Sequence, residues 1–135
     1  MDDTPVGELM TEPVLTVNPE DRIDEVGEAM LHQSIKSVVV IDSECRPQGI
    51  LTSTDFIEIA TKRADVTEST VEEWMTARTL TVESDASVRR ATDEMLSNGI
   101  SHLPVVEADG GVVGILSMTD IVSGSVESVE AGGVA

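Results

Sequence analysis

The sequence predicts an α+β fold made of two β-α-β-β-α repeats related by a pseudo-twofold axis. The stretch Gly49-Ile50-Leu51-Thr52-Ser53-Thr54-Asp55 returns as Gly114-Ile115-Leu116-Ser117-Met118-Thr119-Asp120, an offset of 65 residues. Sliding the chain by that offset aligns Leu9 to Ile57 with Trp74 to Val122 without a gap. Met10/Met75, Thr11/Thr76, Leu15/Leu80, Thr16/Thr81, Val17/Val82, Met30/Met95, Leu31/Leu96, Ile35/Ile100 and Val40/Val105 are identical. In each copy a helical apolar spacing gives way to a continuous apolar run. One repeat alone buries too little surface to be secure, so the two are expected to fold as one module.

In chain order, Val6 to Glu12 reads as a single helical turn that stops before Pro13, since the residue before a proline is pushed out of the α region. Val71-Glu72-Glu73-Trp74-Met75-Thr76 repeats it, with Trp74 in place of Leu9 and assigned to core packing. Val14 to Val17 and Thr79 to Val82 follow as short β segments. Ile23, Val26, Met30 and Leu31 then fall on one helix face, matched by Val88, Ala91, Met95 and Leu96. That spacing makes the methionines core fillers rather than a thioether metal site.

Val38-Val39-Val40-Ile41 and Leu103-Pro104-Val105-Val106 have the pattern of strands buried on both faces. Pro104 cannot donate to a ladder and is expected at the strand's start or at an edge. Asp109-Gly110-Gly111 predicts a tight hairpin into Val112 to Leu116. The glycine-led strand and the helix after it close each repeat. The expected organisation is a domain over 6–62, a polar linker over 63–70, a second domain over 71–124 and an acidic, flexible tail over 125–135.

The core must be aliphatic, because the chain has a single Phe, a single Trp and no Tyr. The net charge is −18, and Lys36 and Lys62 are the only lysines. Self-repulsion of that size opposes compaction at ordinary ionic strength, whereas at ~1 M salt the screening length falls to ~3 Å. The charge points to a salt-rich cytoplasm, with an ordinary acidic cytosolic protein as the alternative. It argues against nucleic acid, which needs clustered Lys and Arg, and against anionic membranes. The acidic start Met1-Asp2-Asp3 and the short apolar runs predict neither a signal peptide nor a membrane span.

Cys45, the single cysteine, lies in a polar turn and is expected to be a spectator thiol in a reducing compartment. No catalytic residue, metal site or resident cofactor is expected, and so no enzyme. There is no Cys/His pair at metal spacing, no Gly-Lys-Ser/Thr phosphate loop and no Gly-x-Ser-x-Gly, and His32 and His102 do not occupy paired repeat positions.

The pattern resembles the tandem CBS-domain pair, or Bateman module. The matching features are Met-Thr leading into each repeat, the Thr-Val strand, the helix ending near Met-Leu, the Ile-led strand with its valines, and Gly-x-x-Thr/Ser-x-x-Asp. The resemblance covers roughly Val6 to Gly124. It implies a regulatory, energy-sensing protein that holds AMP, ADP, ATP or S-adenosylmethionine in a cleft between the repeats. It also implies a homodimer and a regulated partner protein. With no enzyme-sized segment attached, the chain reads as a stand-alone module; a structural dimerisation or adaptor module with no bound ligand is the alternative.

Asp55 and Asp120 are the candidates for the ribose, because an ionised carboxylate can accept from both the 2′ and 3′ hydroxyls. Thr52, Thr54, Ser117 and Thr119 lie beside a helix N-terminus, which suits a phosphate. Helix capping alone would also select Ser, Thr and Asp there, at ~1 kcal/mol each. The resemblance places adenine against Thr16, Ile35, Lys36, Ser37 and Val38 in one repeat, and against Thr81, Ile100, Ser101, His102, Leu103 and Pro104 in the other. Lys36 and His102 are ranked above Arg22, Arg89 and Arg90 as the positive charge a polyphosphate needs, and the two sites are expected to differ in affinity.

Overall fold

The computed structural model describes residues 4–77 and 80–129. These divide into two compact units, the first formed by residues 14–77 and the second by residues 4–13 together with 80–129. Packing units and sequence repeats are therefore out of phase. The lead-in turn of each repeat is built into the unit that holds the body of the other.

The chain opens with α1 (Val6–Leu9), part of the second unit. In the first unit β1 (Thr16–Val17) precedes α2 (Ile23–Gln33), then β2 (Ser37–Ile41) and β3 (Pro47–Thr52). They are followed by α3 (Ser53–Thr61), the single turn α4 (Val71–Trp74) and β4 (Thr76–Ala77). The sheet order is β1-β2-β3-β4, parallel at the first pair and antiparallel at the others. The second unit carries β5 (Val82–Glu83), α5 (Val88–Asn98), β6 (His102–Val106), β7 (Val112–Ser117) and α6 (Met118–Val129), with sheet order β5-β6-β7. Thr11 adds one antiparallel bridge to Ile115, the counterpart of the Thr76 pairing with Ile50.

The two cores use the same positions. Val17/Val82, Ile23/Val88, Val26/Ala91, Met30/Met95, Val38/Leu103, Val40/Val105, Leu51/Leu116 and Val71/Val6 are pairs at the repeat offset, and all are buried in their unit's cluster. At about 1.5–3 kcal/mol for a fully buried aliphatic side chain, these pairs are the main drive to fold each unit. Side-chain volume is exchanged around them. Phe56 fills the space over Gly27, where a Cβ would come within 2.9 Å of the ring; the second unit has Ile121 and Thr92 at those positions. Trp74 packs against its core as expected, with Lys62 Nζ 5.8 Å from the ring centroid.

The lead-in segments are held by matching backbone bonds. In the first unit Ile23 N–H donates to Ser69 O at 3.0 Å and Val71 N–H to Asp21 O at 2.9 Å. In the second, Val88 N–H donates to Thr4 O and Val6 N–H to Ala86 O, both at 2.8 Å. Residues 63–70, polar as they are, lie against the start of α2, with Ser69 buried and Asp24 N–H donating to Val66 O at 3.3 Å.

Leu31 and Leu96, assigned to the apolar helix faces, are 84% and 68% exposed, because each helix covers its core with a narrower arc than its apolar periodicity spans. The predicted segment over Val14 to Val17 narrows to Thr16–Val17, and that ending at Val82 becomes Val82–Glu83, so Thr81 is outside any strand; Thr79 lies outside the described residues. Pro104 is the third residue of the central strand β6 rather than its start. It fits there because pairing with β5 begins only at Val105.

The helical backbone continues past Gly124 to Val129, where a tail from residue 125 was expected. Gly124 is accommodated because a Cβ there would lie 2.8 Å from Leu9 Cδ2. Residues 130–135 lie outside the described residues. Among the described residues no helix is long and apolar enough to cross a membrane.

Candidate functional site

Both glycine-led strands run straight into a helix. In the first unit Thr52 is the residue before α3, and its N–H donates to Asp55 Oδ2 at 2.7 Å. The Thr52 hydroxyl reaches the same oxygen at 3.3 Å. In the second unit Ser117 N–H donates to Asp120 Oδ2 at 2.8 Å, and Asp120 N–H donates back to Ser117 Oγ at 3.0 Å. The acids thus close capping boxes at the third position of each helix, satisfying amides that the helix leaves unpaired.

A second link ties each junction to the start of its unit's long strand. Ser53 N–H donates to Lys36 O and Met118 N–H to Ser101 O, both at 2.9 Å. Lys36, Ser37 and Val38 therefore run beside the α3 N-terminus, and Ser101, His102 and Leu103 beside that of α6. Thr54 and Thr119 are exposed in the first turns of those helices.

The motif glycines serve the lead-in segments. A Cβ at Gly49 would lie 2.7 Å from Thr76 O and 2.9 Å from Met75 Sδ. At Gly114 it would lie 2.6 Å from Met10 Sδ and 3.0 Å from Thr11 O. The backbone of Met-Thr passes so close to the strand that only glycine leaves room, whether or not a ligand is present.

Other sequence candidates are distributed as follows. Thr16 sits half-buried on β1, paired with Val39, and Thr81 half-buried just ahead of β5. Ile35 and Ile100 are half-buried and packed against the cores of their units. Val38 and Leu103 are fully buried and Pro104 is buried, so none of the three offers a side chain to a ligand. Lys36 is exposed, and the half-buried ring of His102 has Nδ1 3.1 Å from Ser101 Oγ. Arg22 pairs with Asp24 at 2.7 Å and Arg90 with Glu94 at 3.6 Å on helix surfaces, and Arg89 is exposed on α5.

Thr11 is the functional candidate that sequence reasoning missed. Its hydroxyl donates to Asp120 Oδ1 at 3.3 Å and lies 3.5 Å from Oδ2, while its backbone exchanges bonds with Ile115 at 2.8 and 3.2 Å. The signal was present as the Thr11/Thr76 identity, but nothing in a repeat says which unit a lead-in residue will join. Among the described residues, no group of three or more His, Cys, Asp or Glu is placed to hold a metal.

Comparison with known proteins bears on this geometry. The family model described as "CBS domain" matches twice, over residues 6–62 and 71–127. An uncharacterised 17.7 kDa protein of Acidianus ambivalens is 38% identical over 118 residues, spanning 87% of this chain and 71% of its own length. Inosine-5′-monophosphate dehydrogenase of Methanocaldococcus jannaschii is 30% identical over 116 residues, but this chain spans only 22% of that enzyme's length. Among solved structures, a CBS domain pair in complex with 5′-methylthioadenosine and S-adenosyl-L-methionine is similar, with a TM-score of 0.81 and 26% identity. The match covers 93% of this chain and 98% of that one. The doubled family match, reached independently by the repeat, the topology and the paired junctions, makes the chain a member of the CBS domain family carrying a tandem pair of CBS domains.

Proposed function

We propose that the chain is a regulatory module that binds an adenosyl ligand, of the AMP, ADP, ATP or S-adenosylmethionine class, at its strand-to-helix junctions and signals its occupancy to a partner protein. The observation that carries this reading is the recurrence of Asp55 and Asp120 at the same helix position, each beside the start of a long strand. The similar CBS pair crystallised with 5′-methylthioadenosine and S-adenosyl-L-methionine supports it. The carboxylates would accept from the ribose hydroxyls, and the exposed Thr54 and Thr119 would donate to a phosphate or its replacement. Signalling requires only that the ligand favour one arrangement of the chain over another. Binding without turnover is the expected chemistry.

Calorimetric titration in about 1 M KCl with AMP, ATP, S-adenosylmethionine and NADH tests the reading. Saturable binding of an adenosyl compound that disappears in the Asp55→Asn, Asp120→Asn double variant is the expected result. No heat with any of the four would leave the structural reading, a dimerisation or adaptor module. That alternative has its own support, since both acids already close helix caps and Leu31, Ile57, Leu96 and Val122 stand exposed at paired repeat positions.

Those four side chains also support a homodimer, measurable by light scattering. Their substitution by Ser would give a monomer. A cytoplasm rich in salt is the proposed setting, and chemical unfolding at low and molar KCl checks it. A midpoint that does not rise with salt would leave an ordinary acidic protein.

A further inference from the structure

The two junctions are chemically unequal, and we infer that the chain takes one 5′-phosphorylated adenosyl ligand, at the Asp55 junction, while Thr11 holds the Asp120 junction closed from within. The inference rests on the adenosyl reading above and assigns the site and the selecting residues within it.

At Asp55 only Oδ2 is used, by the Thr52 N–H at 2.7 Å and its hydroxyl at 3.3 Å. Among the described residues no hydrogen bond reaches Oδ1 of the half-buried Asp55, which leaves that oxygen to accept from a ribose. Beside it the residues suit an anion: Ser53 and Thr54 present exposed hydroxyls in the first turn of α3. Exposed Lys36 is fixed next to that turn through its carbonyl bond to Ser53 N–H at 2.9 Å.

The same positions in the second unit are answered differently. Asp120 Oδ1 already accepts the Thr11 hydroxyl at 3.3 Å, while Oδ2 and the Asp120 N–H close both sides of the cap with Ser117. Met118 replaces Ser53 and packs against the core, so one hydroxyl donor is gone. Ser101 replaces Lys36, and its hydroxyl is engaged with the neighbouring His102 ring at 3.1 Å. A phosphate there loses the ammonium and one hydroxyl, and a ribose must first displace Thr11.

Thr11 is thus a positioning residue: it acts on a ligand only through Asp120. Because its backbone is anchored on Ile115 by two bonds, removing the hydroxyl leaves the lead-in segment in place.

Calorimetry on the full chain with AMP and with adenosine decides the matter. The wild type should take one AMP per chain, and Asp55→Asn should abolish that binding. Lys36→Met should narrow the preference for AMP over adenosine by about tenfold or more, the scale of one lost charged hydrogen bond. Thr11→Val should open a second, weaker site that takes adenosine and AMP about equally, and a stoichiometry that stays at one for both would overturn the role of Thr11. Two equal AMP sites in the wild type, or AMP binding retained by Asp55→Asn, would overturn this assignment and leave the adenosyl reading intact. No binding of AMP, adenosine or S-adenosylmethionine would overturn both.

Discussion

Val39 in the first unit and Pro104 in the second occupy the same place in the repeat, and the sheets around them differ for that reason. Val39 N–H donates to Leu15 O at 3.1 Å, which lets β1 start at Thr16. Pro104 has no N–H to give Leu80, so parallel pairing with β6 begins one step later, at Val82 with Val105. Thr16 is consequently a strand residue and Thr81 is not. Backbone conformation shows the reverse economy. The α2 C-cap Ser34 (φ 56°) and the hairpin residue Cys45 (φ 64°) sit in the left-handed region, where the second unit uses Gly99 (φ 63°) and Gly110 (φ 89°). The two repeats share their core positions and the left-handed turns at 34/99 and 45/110, while donors and glycines differ. Equivalent backbone shape in the two repeats thus coexists with different chemistry at their junctions.

The sharpest way to break the equivalence is at the motif glycines. Gly49→Ala sets a Cβ 2.7 Å from the Thr76 backbone oxygen, whereas Gly114→Ala first meets the flexible Met10 sulfur. Overpacking of this kind costs about 3 kcal/mol at Gly49 and less at Gly114. Chemical denaturation of the two variants should rank them in that order.

Exchanging the strand residues comes next. Val39→Pro should cost about 2 kcal/mol, by removing a ladder donor and orphaning Leu15 O. Pro104→Val should return about 1 kcal/mol and bring Thr81 into β5, visible as slowed exchange of the new amide. If Val39→Pro is neutral, the account of the shortened β5 is wrong.

Ser34→Gly and Cys45→Gly should each stabilise the first unit by about 1 kcal/mol, since each relieves a side chain held at positive φ. A rise of about 3 °C in melting temperature per substitution is the expected signal. The matching Gly99→Ser and Gly110→Cys should lower it.

Acid gives the smallest effect and again separates the units. The Arg22 guanidinium, through its hydrogen bond, holds the Asp24 carboxyl below its usual range. The Thr67 hydroxyl and then its N–H do the same for Asp65. Both acids titrate lower folded than unfolded, so the stability they add is complete above the unfolded value of ~3.9 and is lost as pH falls through the folded values. The second unit has Arg89 in place of Asp24. Below about pH 4, amide exchange at Ile23 and Asp24 should therefore quicken before exchange at Val88.

Much of the fold was legible because it repeats. The 65-residue offset aligns every buried core pair, and the aliphatic runs mark β2 and β6 without help from aromatic residues. The capping role of Asp55 and Asp120 was also readable, as the alternative to ribose binding, from Ser/Thr three residues ahead of an acid. The exposure of Leu31 and Leu96 was not readable. Helical spacing shows which residues share a face, but how much of that face the sheet covers depends on the packed layers.

By itself the sequence determined the duplication, the order of elements and the repeated core positions apart from Leu31 and Leu96, because periodicity and apolar character are local properties repeated at a fixed interval. Only the tertiary structure decided that each lead-in turn joins the unit containing the other repeat's body. The same is true of the link from Thr11 to Asp120, 109 residues apart, and of the glycine that clears the way for it. Such contacts join segments whose spacing in the chain carries no pattern, so they exist only once the backbone has brought them together.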